Sequence, residues 1–265
     1  PREHYLKRIR QLVKLGVNRQ GKLKIVADVL YGTGRDYLDA LLSEAGCKVT
    51  ILHNYRDVLF GGKAPEPSES NLSLLKTTLQ TQRAHLGLSV DGDADRFGIV
   101  DSDGTYLVPN EVLALLFYYL ITTRKWQGVV ARTVMTTHLV DALARKYGIT
   151  VRETPVGFKF IGEVMTNEPM IIGGEESGGL TSQGHIPEKD GILACLLIAE
   201  LRAWAKKPLL KVLEQIYHEV GMFYTSRLNF HLHPDQMNSL RETLTTNPPS
   251  EIAGIKVKEI NRMDG

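Results

Sequence analysis

Cysteine is nearly absent: Cys47 and Cys195 are the only two in 265 residues. That excludes a disulfide framework or a cysteine zinc site and suits a reducing compartment, with the cytoplasm the expected one. Long apolar runs are also missing. The longest, Val112 to Ile121, has ten residues, against the roughly 18 needed to cross a bilayer, so no membrane partner is expected. An excess of one charge is lacking too: 32 basic and 30 acidic side chains leave a formal net charge of +2. Nucleic acid is therefore not an expected partner, because binding it calls for clustered excess Lys and Arg. The basic start PREHYLKRIRQ has no apolar core or cleavage site behind it and does not read as a secretory leader. What the chain does have is 43% apolar residues, enough for one large α/β domain or two of ordinary size. A small molecule is the expected partner.

Apolar, β-rich runs near 23–28, 47–52, 85–90, 97–101, 128–132, 149–153 and 170–174 alternate with helical-period stretches near 34–45, 70–82, 109–123, 136–147, 158–166, 190–205 and 208–219. That alternation predicts α/β layering, with sheets covered by helices. The second half echoes the first. Asp39, Ala40, Leu41, Gly46 and Val49 recur as Asp141, Ala142, Leu143, Gly148 and Val151, each at an offset of 102. In both places a helix runs through a glycine cap into a strand. The expected fold class is thus α/β, with two similar tandem domains, each a small mixed sheet between helices. Pro109 and Asn110 open a helix after FGIVDSDGTYLV, which places the seam near 108. The expected organisation is 1–108, 109–226, and a segment 227–265 that reads as a linker or the start of a truncated further domain, being too short to build its own core. The Gly, Pro and Ser-rich stretch from Phe60 to Ser70 is expected to be an exposed, mobile connection.

Four short stretches carry chemistry. In Asp91-Gly-Asp-Ala-Asp-Arg96, three carboxylates at alternate positions follow an apolar strand, so one tight loop can aim Asp91, Asp93 and Asp95 at a hard cation such as Mg²⁺. Arg96 can then fork onto a phosphate held by the same metal. An acidic turn that caps a strand and binds nothing fits the same string. In Gly173-Gly-Glu-Glu-Ser-Gly-Gly179, the glycines allow close backbone approach while Glu175 and Ser177 suit neighbouring sugar hydroxyls; a flexible turn is the alternative. In His185-Ile-Pro-Glu-Lys-Asp-Gly191, His185 and Lys189 are candidates to hold phosphate or move protons, while Asp190 can serve only as a helix cap. Thr154-Pro-Val-Gly-Phe-Lys-Phe160 is a strand-to-helix turn that can present Gly157 and Lys159 to an anion.

In this order and spacing, DGDADRFGIVD, TPVGFKFI, GGEESGG and HIPEKDGI closely resemble the α-D-phosphohexomutases, the phosphoglucomutase and phosphomannomutase superfamily. The resemblance covers essentially the whole chain and points to the two central domains, 2 and 3. It implies a Mg²⁺-dependent isomerase of carbohydrate metabolism that moves phosphate between the 1 and 6 positions of glucose, mannose or both. A phosphoserine and a hexose 1,6-bisphosphate intermediate carry the transfer. It further implies Asp91, Asp93 and Asp95 as metal ligands, Arg96 and Lys189 as catalytic groups, and Glu175 and Ser177 as the grip on sugar hydroxyls. Gly157 and Lys159 are implied to line the same cleft, and Arg132 matches a basic family position, although a surface charge fits it as well.

The departures are equally informative. Family members carry the phosphoserine in a TASHNP-like loop of a first domain and grip phosphate with an RPSGTEP-like loop of a fourth, and neither string occurs in these residues. The expected partners therefore include missing N- and C-terminal domains of the same chain, with the 265 residues alone inactive. Many bacterial members have a histidine where this chain has Gly179. Two other readings stand beside this one: a noncatalytic sugar-phosphate binding module, and a metal-dependent phosphatase, in which the GGEESGG loop would have no task.

Overall fold

A computed structural model describes residues 2–14, 16, 22–225, 232–260 and 263. An amphipathic helix, Arg2–Leu12 (α1), precedes the first parallel strand, Lys24–Asp28 (β1). Consecutive residues of β1 serve opposite faces, as the pleat requires. Ile25 and Ala27 join the main core, while Val26 packs with Leu72, Leu75 and Leu79 on the other side. The chain continues through Leu38–Glu44 (α2), Lys48–Leu52 (β2), Ser73–Gln82 (α3), Leu86–Val90 (β3), Phe97–Asp101 (β4) and Tyr106–Leu107 (β5). These strands form a sheet of order β2-β1-β3-β4-β5, parallel between β1 and its two neighbours and antiparallel from β3 to β5.

The second layer set runs through Pro109–Thr122 (α4), Val129–Thr133 (β6), Leu139–Tyr147 (α5), Val151–Thr154 (β7), Phe158–Asn167 (α6), Met170–Gly174 (β8) and Leu180–Ser182 (β9). The order β7-β6-β8-β9, with β6 parallel to β7 and β8 and β9 antiparallel to β8, repeats the pattern of β2-β1-β3-β4. The sequence echo at offset 102 is thus a repeat of topology. Its two glycines, Gly46 and Gly148, both take positive φ, 80° and 67°, at the ends of α2 and α5, where a left-handed cap favours glycine. The two tandem α/β domains, each a mixed sheet flanked by helices, are what the alternation predicts. The short strands β5 and β9 are additions that the apolar runs did not signal.

Helix Gly191–Ala205 (α7) joins the halves. It is apolar around most of its circumference, GILACLLIAELRAWA, which fits a helix buried on all sides. It packs on β3 and β4 of the first sheet as well as on α4 and β9 of the second. Leu209–Val220 (α8) then covers α4 and α5. One polar cluster lies inside this joint: Glu200, fully buried, accepts hydrogen bonds from Tyr119 Oη, Arg124 Nε and Nη2, and the Lys14 amide. Arg124 also donates to the Leu12 carbonyl, so α1, α4 and α7 are tied by one ion pair. Among the described residues no helix is long and apolar enough to cross a membrane.

The stretch from Phe60 to Ser70 differs from its expectation. Much of it is exposed, but Pro67 is buried, the Pro65 carbonyl accepts from the Gly92 amide, and the Asn71 side chain donates to the Ala64 and Glu66 carbonyls. It is a strap laid over the acidic loop.

The chain divides into two compact units, Pro1–Phe223 and Tyr224–Gly265. The second contains the helix Pro234–Thr246 (α9) and the hairpin Glu251–Ile252 (β10) with Ile255–Lys256 (β11). Residues 227–231 of the segment expected as a linker or the start of a further domain lie outside the described residues.

Candidate active site

The acidic loop and the glycine-rich loop occupy equivalent places in the two sheets: each is the turn of an antiparallel pair, β3 to β4 and β8 to β9. They touch. Arg96 and Gly179 form an isolated antiparallel bridge, and the Phe97 amide donates to the Gly178 carbonyl at 3.2 Å. From the third motif, the Gly191 amide donates to the Ala94 carbonyl at 3.0 Å. The acidic loop thus shares one floor with two neighbouring stretches far along the chain, the glycine-rich loop and the third motif.

Close backbone approach sets this joint. A Cβ on Gly191 would lie 2.4 Å from the Arg96 carbonyl oxygen, a backbone atom that cannot swing aside. Gly191→Ala improves helix propensity at the start of α7, yet the overlap should dominate and lower stability by about 1–3 kcal/mol. Denaturant midpoints of the two proteins check this, and an unchanged or higher midpoint for the variant would show that the joint yields.

Within the acidic loop, one oxygen each of Asp91, Asp93 and Asp95 lies within 4.8 Å of the others. Asp91 is buried and its two oxygens accept from the Arg96 amide at 3.0 Å and Arg96 Nε at 2.8 Å. Burial first of all, with the charges of Asp95 and Asp93 adding to it against the bonds from Arg96, pushes the Asp91 carboxyl up to about 6. Arg96 also approaches Glu66 at 3.4 Å and Asp95 at 3.7 Å, so its guanidinium is held beside the carboxylates. Ala94, at φ 65°, makes the tight turn that brings Asp93 and Asp95 round.

In the glycine-rich loop, Glu175 Oε1 accepts from the Gly157 amide at 3.2 Å and Oε2 from Ser177 Oγ at 3.3 Å. Gly157 caps α6 at φ 124°, a conformation that favours glycine. Burial raises the Glu175 carboxyl, opposed by Lys189. Thr133 Oγ1 donates to Glu176 at 3.2 Å, fixing the neighbouring carboxylate.

Lys189 reaches from one loop to the other. Its Nζ lies 2.7 Å from Asp95 Oδ2, and its stem crosses Gly179, where a Cβ would come within 2.4 Å of Lys189 Cδ. Burial works against its charge, but the hydrogen bond and charge of Asp95, with Glu175 and Glu188, outweigh it, and the ammonium is held above its ordinary range. A cavity of about 370 Å³ opens beside this bridge, lined by Asp93, Asp95 and Lys189 and, from α1, by Arg2 and Tyr5.

Asp91, Asp93, Asp95, Arg96, Gly157, Glu175, Ser177 and Lys189 are therefore brought together. Three other candidates are placed differently. Arg132, expected at the substrate, has a side chain only 2% exposed and bonds Asp141, Glu153 and the Thr133 carbonyl; it ties β6 to α5 and β7 from inside. His185 borders the same cavity as Lys189, but its side chain is 3% exposed and its Nε2 pairs with Asp190 at 2.8 Å. Tyr5 Oη donates to the same carboxylate, which also caps α7 through the Leu193 amide, so His185 holds the loop that carries Lys189. Lys159 is exposed, with its Nζ over the Phe160 ring, 4.6 Å from the centroid. Sequence reasoning missed Tyr5 and Glu66: Tyr5 is 185 residues from Asp190, and Glu66 sits in a strap that carried no chemical signal.

The family profile "Phosphoglucomutase/phosphomannomutase, alpha/beta/alpha domain II" matches residues 3–104, and that for alpha/beta/alpha domain III matches 108–220. The chain belongs to the α-D-phosphohexomutase superfamily. A phosphoglucomutase/phosphomannomutase of Thermococcus kodakarensis is 26% identical over 98% of this chain and 55% of its own length. A protein of Methanothermobacter thermautotrophicus named a probable phosphoglucosamine mutase is 32% identical over 81% and 45%. Among solved structures, parafusin, a phosphoglucomutase from Paramecium in its open form, superposes with a TM-score of 0.79 at 25% identity, covering 92% of this chain and 46% of that one. The chain thus spans about half the length of the curated relatives it matches.

Proposed function

We propose that this chain supplies the metal-binding and sugar-binding domains of a Mg²⁺-dependent phosphohexomutase. It would interconvert hexose 1-phosphate and hexose 6-phosphate, of glucose, mannose or both, through a phosphoserine and a hexose 1,6-bisphosphate intermediate. The observation that carries the reading is Lys189, whose ammonium pairs with Asp95 of the acidic loop while its stem lies against the loop of Glu175.

The donor set fits the cation. Three clustered carboxylate oxygens, one from a buried side chain, form the hard oxygen set that Mg²⁺ prefers. Asp91, Asp93 and Asp95 would hold it, and when bound it supplies positive charge against phosphoryl oxygens. Arg96 adds a second fixed charge beside them. Glu175 and Ser177 offer an acceptor pair and a hydroxyl to adjacent sugar hydroxyls, an arrangement that serves either orientation of the intermediate. Lys189, held protonated, is poised to give a proton to a leaving oxygen and to take one back. The phosphoserine and the second phosphate grip are assigned to domains outside these 265 residues.

Magnesium should raise the melting temperature by about 3–6 °C at some ten times its Kd, and Asp93→Ala should abolish the shift. The Asp91 carboxyl lies above the unfolded carboxylate value, so its ionisation costs the native chain stability as pH rises towards and through about 6. A bound cation offsets that cost. The magnesium shift should therefore be full well above that pH and shrink as pH falls through it and Asp91 takes up a proton. No shift in the native chain, or an equal one in Asp93→Ala, would remove these carboxylates as ligands.

A further inference from the structure

Lys189 is delivered to the acidic loop by a segment anchored immediately after it. The Asp190 amide donates to the Leu180 carbonyl and the Gly191 amide to that of Ala94, both at 3.0 Å. The lysine ammonium is 2.7 Å from Asp95 Oδ2, and Asp95 is one of the three carboxylates whose oxygens cluster within 4.8 Å. The charges of Glu175 and Glu188 also act on Lys189, so the acidic loop and the carboxylates of the second sheet's loops compete for one ammonium.

We infer that Lys189 and the divalent cation of the acidic loop are coupled through Asp95, each loosening the other's hold on that carboxylate. This rests on the cation reading proposed above. Two positive charges that share one carboxylate repel, and the desolvation of a partly buried site strengthens that repulsion. Coupling between binding events is reciprocal: a lysine that weakens cation binding by some factor is itself released from Asp95 by the same factor when the cation binds. The ammonium set free keeps the charges of Glu175 and Glu188 beside it, so cation binding on one domain biases the lysine towards carboxylates of the other. Gly179 is part of the device, because only a residue without Cβ leaves room for the stem that reaches Asp95.

The test is calorimetric titration of the 265-residue chain with MgCl₂ or MnCl₂, which needs no turnover. Lys189→Met should tighten cation binding roughly tenfold. Lys189→Arg keeps the charge and should stay at or below native affinity. Gly179→Ala places a methyl group against the stem and should tighten binding in the same direction, by less. An unchanged or weaker affinity in Lys189→Met, or equal tightening in Lys189→Arg, overturns the coupling even where Asp93→Ala abolishes binding. Cation binding that is absent from the native chain, or that survives Asp93→Ala, overturns the cation reading and this inference with it.

Discussion

On the proposed function, Asp93→Ala and Lys189→Ala made in a full-length enzyme that contains this chain should each reduce conversion of glucose 1-phosphate to glucose 6-phosphate by about 10²–10⁴-fold, while Glu175→Ala should act mainly through a raised KM. The difference follows from where each group sits. On the proposed reading Asp93 and Lys189 would border the position at which charge and proton move, whereas Glu175, bonded to Gly157 and Ser177, would face the sugar. The 265 residues alone should show no detectable turnover even with a hexose 1,6-bisphosphate activator, because in-line transfer needs a positioned donor as well as a place for charge. A coupled assay on the chain and on the longer variants decides both points. Robust turnover by the chain would make one of its own serines the phosphoryl carrier.

The second large effect concerns the buried ion pair. Glu200→Ala leaves the Arg124 guanidinium, 4% exposed, without its carboxylate and also strips Tyr119 and the Lys14 amide of an acceptor. Removing one partner of a buried pair costs about 3–5 kcal/mol. Replacing both partners, as Arg124→Met with Glu200→Leu, should restore most of that loss, since neither charge is then buried alone. Urea unfolding of the native chain, the single variant and the double variant checks this. A loss below about 1 kcal/mol in Glu200→Ala would mean that the end of α1 moves and lets water reach Arg124.

Much of the fold is legible in the sequence because the physics that makes it is local. Runs such as the IVA within KIVAD and MIIGG are apolar, as strands covered on both faces are, and the repeated glycine caps need only one residue each. The chemistry-bearing loops are legible for the same reason, since DGDADR and GGEESGG bring their carboxylates together within a few residues. What the sequence does not display is which charged groups are already satisfied. Arg132 after a strand reads alike whether it faces a ligand or, as here, Asp141 and Glu153. His185 reads as a proton carrier until Tyr5 and Asp190 are found around it. Lys189 reads as a candidate to hold phosphate or move protons, and its bond to Asp95 becomes visible once the two sheets place their turns against each other.

The central claim is that the acidic loop and the glycine-rich loop make one site, with a cation on one side and a sugar on the other. Crystals of the 265-residue chain grown with MnCl₂ and glucose 1,6-bisphosphate test it most directly through the anomalous signal of manganese. The account predicts one strong peak among the carboxylates of Asp91, Asp93 and Asp95, with sugar density against Glu175 and Ser177 in the same cleft. A manganese peak elsewhere with that cluster empty, or sugar bound on a face away from Glu175, would contradict it.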